Sequence, residues 1–177
     1  MGRYTLVKAR GIYSPETRTL EQNAAVLVGG ERIVEIGPER ALRNGALRRI
    51  DPASVETVDL GERCLLPGLC NSHVHLSFSA TSDTLSDYLS ESEMIKGIRA
   101  AVNAGIMLRS GVTTVRDAGS GDFLVSISDA AEKGLIKLPR IIFCGAPVTG
   151  TGQHLHFMGG EADGPEAVRG AVRRRKE

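Results

Sequence analysis

The chain has almost no excess charge of either sign: 22 Lys and Arg stand against 21 Asp and Glu, a formal net charge of +1 over 177 residues. That balance excludes the broad basic field with which proteins gather nucleic acid or acidic membrane surfaces. Cysteine is scarce as well. Cys64, Cys70 and Cys144 sit in apolar segments without C-x-x-C spacing, which argues against a disulfide framework or a zinc knuckle and predicts three small buried hydrophobes. No apolar run approaches the ~20 residues that a membrane span requires. The opening residues MGRYTLVKAR hold no signal-peptide core, so the expected location is the cytoplasm. What remains, 41% hydrophobic and 24% charged residues, is the composition of a globular domain.

Residues 1–66 read as short strands. YTLVKARGIY (residues 4–13) alternates loosely as a strand does, and Ser14-Pro15 through Thr19 reads as a loop. Ala24–Val28, Gly29-Gly30 and Arg32–Ile36 form a hairpin pattern, two β-rich runs joined where glycine can take a positive φ. Residues 39–50 suit a short helix or an irregular crossing, and Val55–Leu60 and Arg63–Leu66 are two more strand-like pieces. With no helix-length periodic segment between them, they fit a small β-sandwich subdomain.

The stretch from Cys64 to Leu76, CLLPGLCNSHVHL, carries the chemistry. Strand side chains alternate between faces, which would put His73 and His75 on one side, roughly 6–7 Å apart, with Val74 on the other. Two imidazoles converging from one strand end can hold a single cation, imidazole being the commonest metal ligand. Paired histidines are also common as polar surface or hydrogen-bonded core. The apolar lead-in and the Pro67-Gly68 break favour the ligand reading, because they set the pair at the C-terminal end of a buried strand, where α/β barrels carry their active sites.

Beyond the pair the pattern changes. Ser77–Glu91 is rich in Ser, Thr and Asp and reads as a long loop or a weak helix start. From Ser92 a helix is expected, with Ile95, Ile98, Val102 and Ile106 recurring at spacings of three and four as its apolar stripe and Gly111 as its stop. Val112–Val115 is a β-branched strand leading into Arg116-Asp117-Ala118-Gly119. Arg116-Asp117 can either orient neighbouring groups at the strand end or form an internal salt bridge supporting the loop. Phe123, Leu124, Ile127, Ala130 and Ala131 mark a second amphipathic helix, and Arg140–Cys144 a third strand. A glycine-rich loop, Gly145–Gly160, carries His154 and His156, and Pro165 then opens a third helix. Arg173-Arg174-Arg175-Lys176 at its end reads as a solvated face. This is a right-handed parallel β/α series. Its first strand is followed by no G-x-G-x-x-G phosphate turn, so the expected class is α/β of the barrel type, about three βα units over residues 67–177.

Four segments, PGLCNSHVHL (Pro67–Leu76), GVTTVRDAG (Gly111–Gly119), PRIIFCGAPVTGTGQHLHFMGG (Pro139–Gly160) and ADGPEAVRGAV (Ala162–Val172), resemble the amidohydrolase superfamily. Within it they are most similar to the branch of imidazolonepropionase and the metal-dependent Xaa-Pro and related dipeptidases. The resemblance runs from about residue 4 to Glu177. It implies the N-terminal part of a (β/α)₈ TIM barrel, with residues 1–66 as an incomplete β-sandwich subdomain and 67–177 as the first three barrel units. It implies one or two divalent metal ions, usually zinc, with His73 and His75 as ligands of the more buried ion. The family's further ligands, on strands four, five, six and eight, have no counterpart in these residues, so no catalytic residue is assigned. Lys176, in the third helix, is not given the bridging role of the family's strand-four lysine. His154 and His156 fall where related enzymes contact substrate. Gly152-Gln153-His154-Leu155-His156 departs there from the GGHGH or GGHGD of related sequences.

The reaction so implied is hydrolysis of a C–N bond in a small amide, cyclic amide or dipeptide by metal-activated water. Dipeptidase-like and imidazolonepropionase-like substrates both remain open. The implied partner is that small molecule, with no nucleic acid and no membrane, and with homo-oligomerisation of a complete enzyme left open. Two ligands are fewer than the three that a catalytic zinc takes from protein. The alternatives are therefore a truncated or split chain without activity of its own, or a small metal-binding module. Open sheet edges predict that the isolated chain folds poorly or associates.

Overall fold

The computed structural model of the chain describes residues 3–175, which divide between Pro67 and Gly68 into two compact units. In the first unit, β1 (Tyr4–Ser14), β2 (Thr19–Gly29) and β3 (Arg32–Pro38) form consecutive antiparallel pairs. β4 (Val55–Asp59) and β5 (Cys64–Leu65) both lie parallel to β1, at Tyr4–Lys8 and at Gly11-Ile12. Ser14–Thr19, read from sequence as a loop, is the turn of a second hairpin in which Ser14 faces Thr19. Where an incomplete β-sandwich was expected, the described residues of this unit form one mixed five-stranded sheet. Strand alternation sends Leu6, Ala25 and Leu27 to one face, where Leu42 of α1 (Glu39–Asn44) covers them, and Ala9, Ala24 and Val26 to the other.

The second unit alternates strand and helix. β6 (Leu69–Val74), β7 (Val112–Asp117) and β8 (Arg140–Phe143) form a parallel sheet in that order. Between them come α2 (Thr84–Ser90), α3 (Glu93–Arg109) and α4 (Phe123–Glu132), and α5 (Gly164–Arg174) follows β8. One apolar cluster joins Val74, Leu76, Val115 and Leu124 to Ala100 and Ala104 of α3. No helix among the described residues is long and apolar enough to cross a membrane.

Helix α3 begins where expected, its first turn capped by the Ser92 hydroxyl, which accepts a hydrogen bond from the Ile95 amide. Its buried side is not the predicted one. Ile95, Ile98, Val102 and Ile106 are between 45% and 56% exposed, and the face turned inward is Lys96, Gly97, Ala100 and Ala104. Small residues win because they let the helix axis approach the sheet closely, so that the branched residues of β7 fill the space between. The cysteines also depart from expectation: Cys64, Cys70 and Cys144 are free and exposed. Both edges of the parallel sheet, β6 and β8, carry open backbone in this unit.

Candidate metal centre

The histidine pair stands on an irregular strand. β6 and β7 are paired Asn71 to Val115 and then Val74 to Asp117, so β6 holds one residue more than its neighbour over that interval. This is a β-bulge, a device that re-aims side chains beside functional sites. The Asn71 side-chain oxygen accepts a hydrogen bond from the His73 amide at 3.3 Å and braces it. Past the bulge, Val74 and Leu76 enter the core, while His73 is exposed and His75 half-buried. Their ring centroids lie 5.4 Å apart, edge to face.

Of the two rings, His75 is the anchored one. Its Nδ1 lies 2.6 Å from the carbonyl oxygen of Gly119. A carbonyl only accepts, so Nδ1 carries the proton and Nε2 keeps its lone pair free. The backbone around His75 is tied down on both sides. Ala118 donates its amide to the Val74 carbonyl at 2.9 Å, and Leu76 donates to the Asp117 carboxylate at 2.8 Å. From α3, the Asn103 amide donates to the carbonyls of Leu76 and Phe78 at 2.8 and 2.9 Å. Asn103 carried no signal in the sequence. It is one polar residue inside a helical pattern, and only the fold brings it under the loop. For Arg116-Asp117 the structure decides between residues: Asp117 is buried and Arg116 exposed, and neither forms an ion pair among the described residues.

An aromatic ladder leads away from the pair. His75 meets Phe78 at 5.1 Å between ring centroids, Phe78 meets Tyr88 at 5.6 Å, and Tyr88 meets Phe157 at 5.5 Å. His156 stands at the far end, 5.9 Å from Phe157. Lys96 caps the Tyr88 ring with its ammonium 4.1 Å from the centroid, a cation–π contact, and pairs with Glu93 at 2.8 Å. Burial, with the nearby Glu93 and Asp117 carboxylates, pushes the Tyr88 phenol up, so it stays a hydrogen-bond donor. It donates to the Ser120 carbonyl at 3.4 Å.

The β8 loop thus reaches toward the pair through Phe157. His154 is exposed and, among the described residues, makes no side-chain hydrogen bond, ion pair or ring contact, and His156 is exposed with Nδ1 3.9 Å from Glu161. Leu155 between them holds a left-handed φ of +61°. A left-handed φ favours glycine, and a branched side chain is strained there. Among the described residues, no group of three or more His, Cys, Asp or Glu side chains is arranged to hold a metal ion. Lys176 lies outside the described residues.

The sequence profile of the amidohydrolase family matches residues 64–177, the stretch that contains the bulged strand, both histidines and the ladder. The chain belongs to the amidohydrolase family. It is 36% identical to the imidazolonepropionase of Arthrobacter sp. (strain FB24) over 108 residues, 61% of this chain and 22% of that protein. A Xaa-Pro dipeptidase crystallised with methionine in its active site superposes with a TM-score of 0.78 at 25% identity, over 98% of this chain and 44% of that one. A prolidase complexed with N-methylphosphonate-L-proline superposes with a TM-score of 0.74 at 27% identity, again over 98% and 44%. This amidohydrolase chain thus spans less than half the length of these relatives. Its parallel unit is part of a TIM barrel, and a β-rich unit precedes it.

Proposed function

We propose that this chain supplies part of the active site of a metal-dependent hydrolase acting on a C–N bond of a small amide, cyclic amide or dipeptide. The observation that carries the reading is the pairing of His73 with His75, whose Nδ1 is engaged by the Gly119 carbonyl. That hydrogen bond leaves the His75 Nε2 lone pair free, the state in which imidazole binds zinc. The donor set fits a divalent metal of zinc's type, which takes imidazole nitrogen readily. His73 and His75 would hold the ion, and a divalent cation there supplies Lewis acidity toward water and toward an amide carbonyl. Asn103 and the 117–120 segment hold the backbone around His75, so the ring meets a ligand without rearrangement.

His154 and His156 are read as substrate contacts, since the β8 loop that bears them joins the ladder leading to His75. The two substrate classes follow the names of the relatives, imidazolonepropionase for a cyclic amide and Xaa-Pro dipeptidase for a dipeptide. The dipeptide is preferred, because two crystallised relatives carry methionine or a proline analogue. Two imidazoles fall short of a catalytic zinc site, so turnover is expected where a complete barrel adds ligands and not from these 177 residues alone. Zinc titration of the chain, with His73→Ala and His75→Ala beside it, tests the site. Each variant is expected to weaken binding at least about tenfold, in line with losses seen around metal sites. Equal binding by all three proteins would refute it.

A further inference from the structure

We propose that Asp117 is a positioning residue for His75, fixing the segment whose carbonyl selects the tautomer of that ring; the role rests on the metal-site reading above. Asp117 ends β7 and is 1% exposed. A carboxylate buried so deeply requires hydrogen-bond donors. Asp117 finds three: the Leu76 amide at 2.8 Å, the Gly119 amide at 2.9 Å and the Ser120 hydroxyl at 2.6 Å. The first two come from opposite sides of one bond. Leu76 is the residue after His75, and Gly119 is the residue whose carbonyl receives the His75 ring proton. The carboxylate therefore bridges the donor and the acceptor of the contact that sets the ring. Ser120 extends the bridge, since its hydroxyl oxygen also accepts the Ser77 amide at 3.2 Å.

This bridge matters because Gly119 is the weak point of the arrangement. At φ of +140° and without a side chain, its peptide has more freedom than any other residue type would leave it. A carbonyl free to turn no longer distinguishes the two tautomers of His75, and the Nε2–H form presents a protonated nitrogen that cannot bind a cation. The Gly119 N–H and the Ser120 hydroxyl, both donated to this one acceptor-only group, hold the chain on either side of the peptide that bears the carbonyl, and the Leu76 amide ties the same carboxylate to the backbone of the His75 strand end. Asp117→Asn keeps the volume but puts an amide NH₂ against an N–H or O–H donor, so one arm of the bridge must open.

The test uses the 177-residue chain with ¹⁵N-labelled histidine. Long-range ¹H–¹⁵N correlation at mildly alkaline pH, where imidazole is neutral, reports the tautomer of each ring without any metal. Wild type is expected to show His75 solely as the Nδ1–H form. Asp117→Asn is expected to show a mixture and to weaken zinc binding by about 10- to 100-fold, the usual cost of losing an outer partner of a ligand. Ser120→Ala removes a single arm and serves if Asp117→Asn fails to fold; it should move both readouts the same way by a smaller factor. Either variant folded, with a wild-type His75 tautomer, would overturn the proposal. A tautomer shift in a chain that binds no zinc would support the positioning role while refuting the metal-site reading. Zinc binding with an unshifted tautomer would do the reverse.

Discussion

Gly119→Ala puts the geometry around His75 to a quantitative test. A Cβ at position 119 would lie 2.9, 3.1 and 3.2 Å from the Cδ, Cγ and Cβ of Pro147, against the 3.5–4.0 Å that carbon pairs prefer. The proline ring cannot swing aside as a long flexible side chain would. The backbone resists as well, because φ at Gly119 is +140°, where holding an alanine costs roughly 1–3 kcal/mol. Relief by rotating the peptide withdraws the carbonyl from His75 Nδ1, at about 1 kcal/mol for the lost hydrogen bond. The sum is on the order of 3 kcal/mol, which at a urea slope of about 2 kcal/mol per molar lowers the midpoint by about 1.5 M. The chain contains no tryptophan, so far-UV circular dichroism is the assay. Gly134→Ala is the control: its φ is +71°, but a Cβ there meets no atom within 4 Å. It should cost only the backbone part, about 1 kcal/mol. Gly119→Ala no more destabilising than Gly134→Ala would refute the steric reasoning and with it the tight seat assigned to the Gly119 carbonyl.

Two further predictions follow from places where fold and sequence pattern part. In α3, Ala104→Leu, at a site with no exposure, should cost about 1–3 kcal/mol through overpacking, whereas Ile98→Ala, at 56% exposure, should stay within about 0.5 kcal/mol; urea midpoints in the opposite order would mean that the isoleucine stripe is the buried face. In the β8 loop, Leu155→Gly should remove left-handed strain of roughly 1–2 kcal/mol and give back part of it as unfolded-state freedom, for a net gain of about 0.5–1 kcal/mol. A lowered midpoint would show that the Leu155 side chain earns its place by packing.

Much of the architecture was legible in the residues. The Pro67-Gly68 break, the apolar run and the His73–His75 spacing locate a strand end bearing two imidazoles, because strand geometry follows from backbone stereochemistry alone. The same holds for the hairpin of β2 and β3 and for the order of strands and helices after it, where turn glycines and β-branched runs act locally. Other features had to wait for the tertiary structure. Periodicity gives the angle between residues around a helix but not the distance to its neighbour, so it marked Ile98 and not Ala104 as the inward face of α3. The bulge between Asn71 and Val74 exists only in the pairing with β7, which no alternation pattern within β6 can register. Asn103 is an unremarkable polar letter, and Arg116-Asp117 leaves two readings open, until the chain closes; what decides both is the set of backbone groups from distant positions, Leu76, Phe78 and Gly119, that burial leaves in need of partners. The histidine pair is a property of the sequence, but the tautomer that lets His75 bind a cation is a property of the fold, because the carbonyl that sets it lies 44 residues further along the chain.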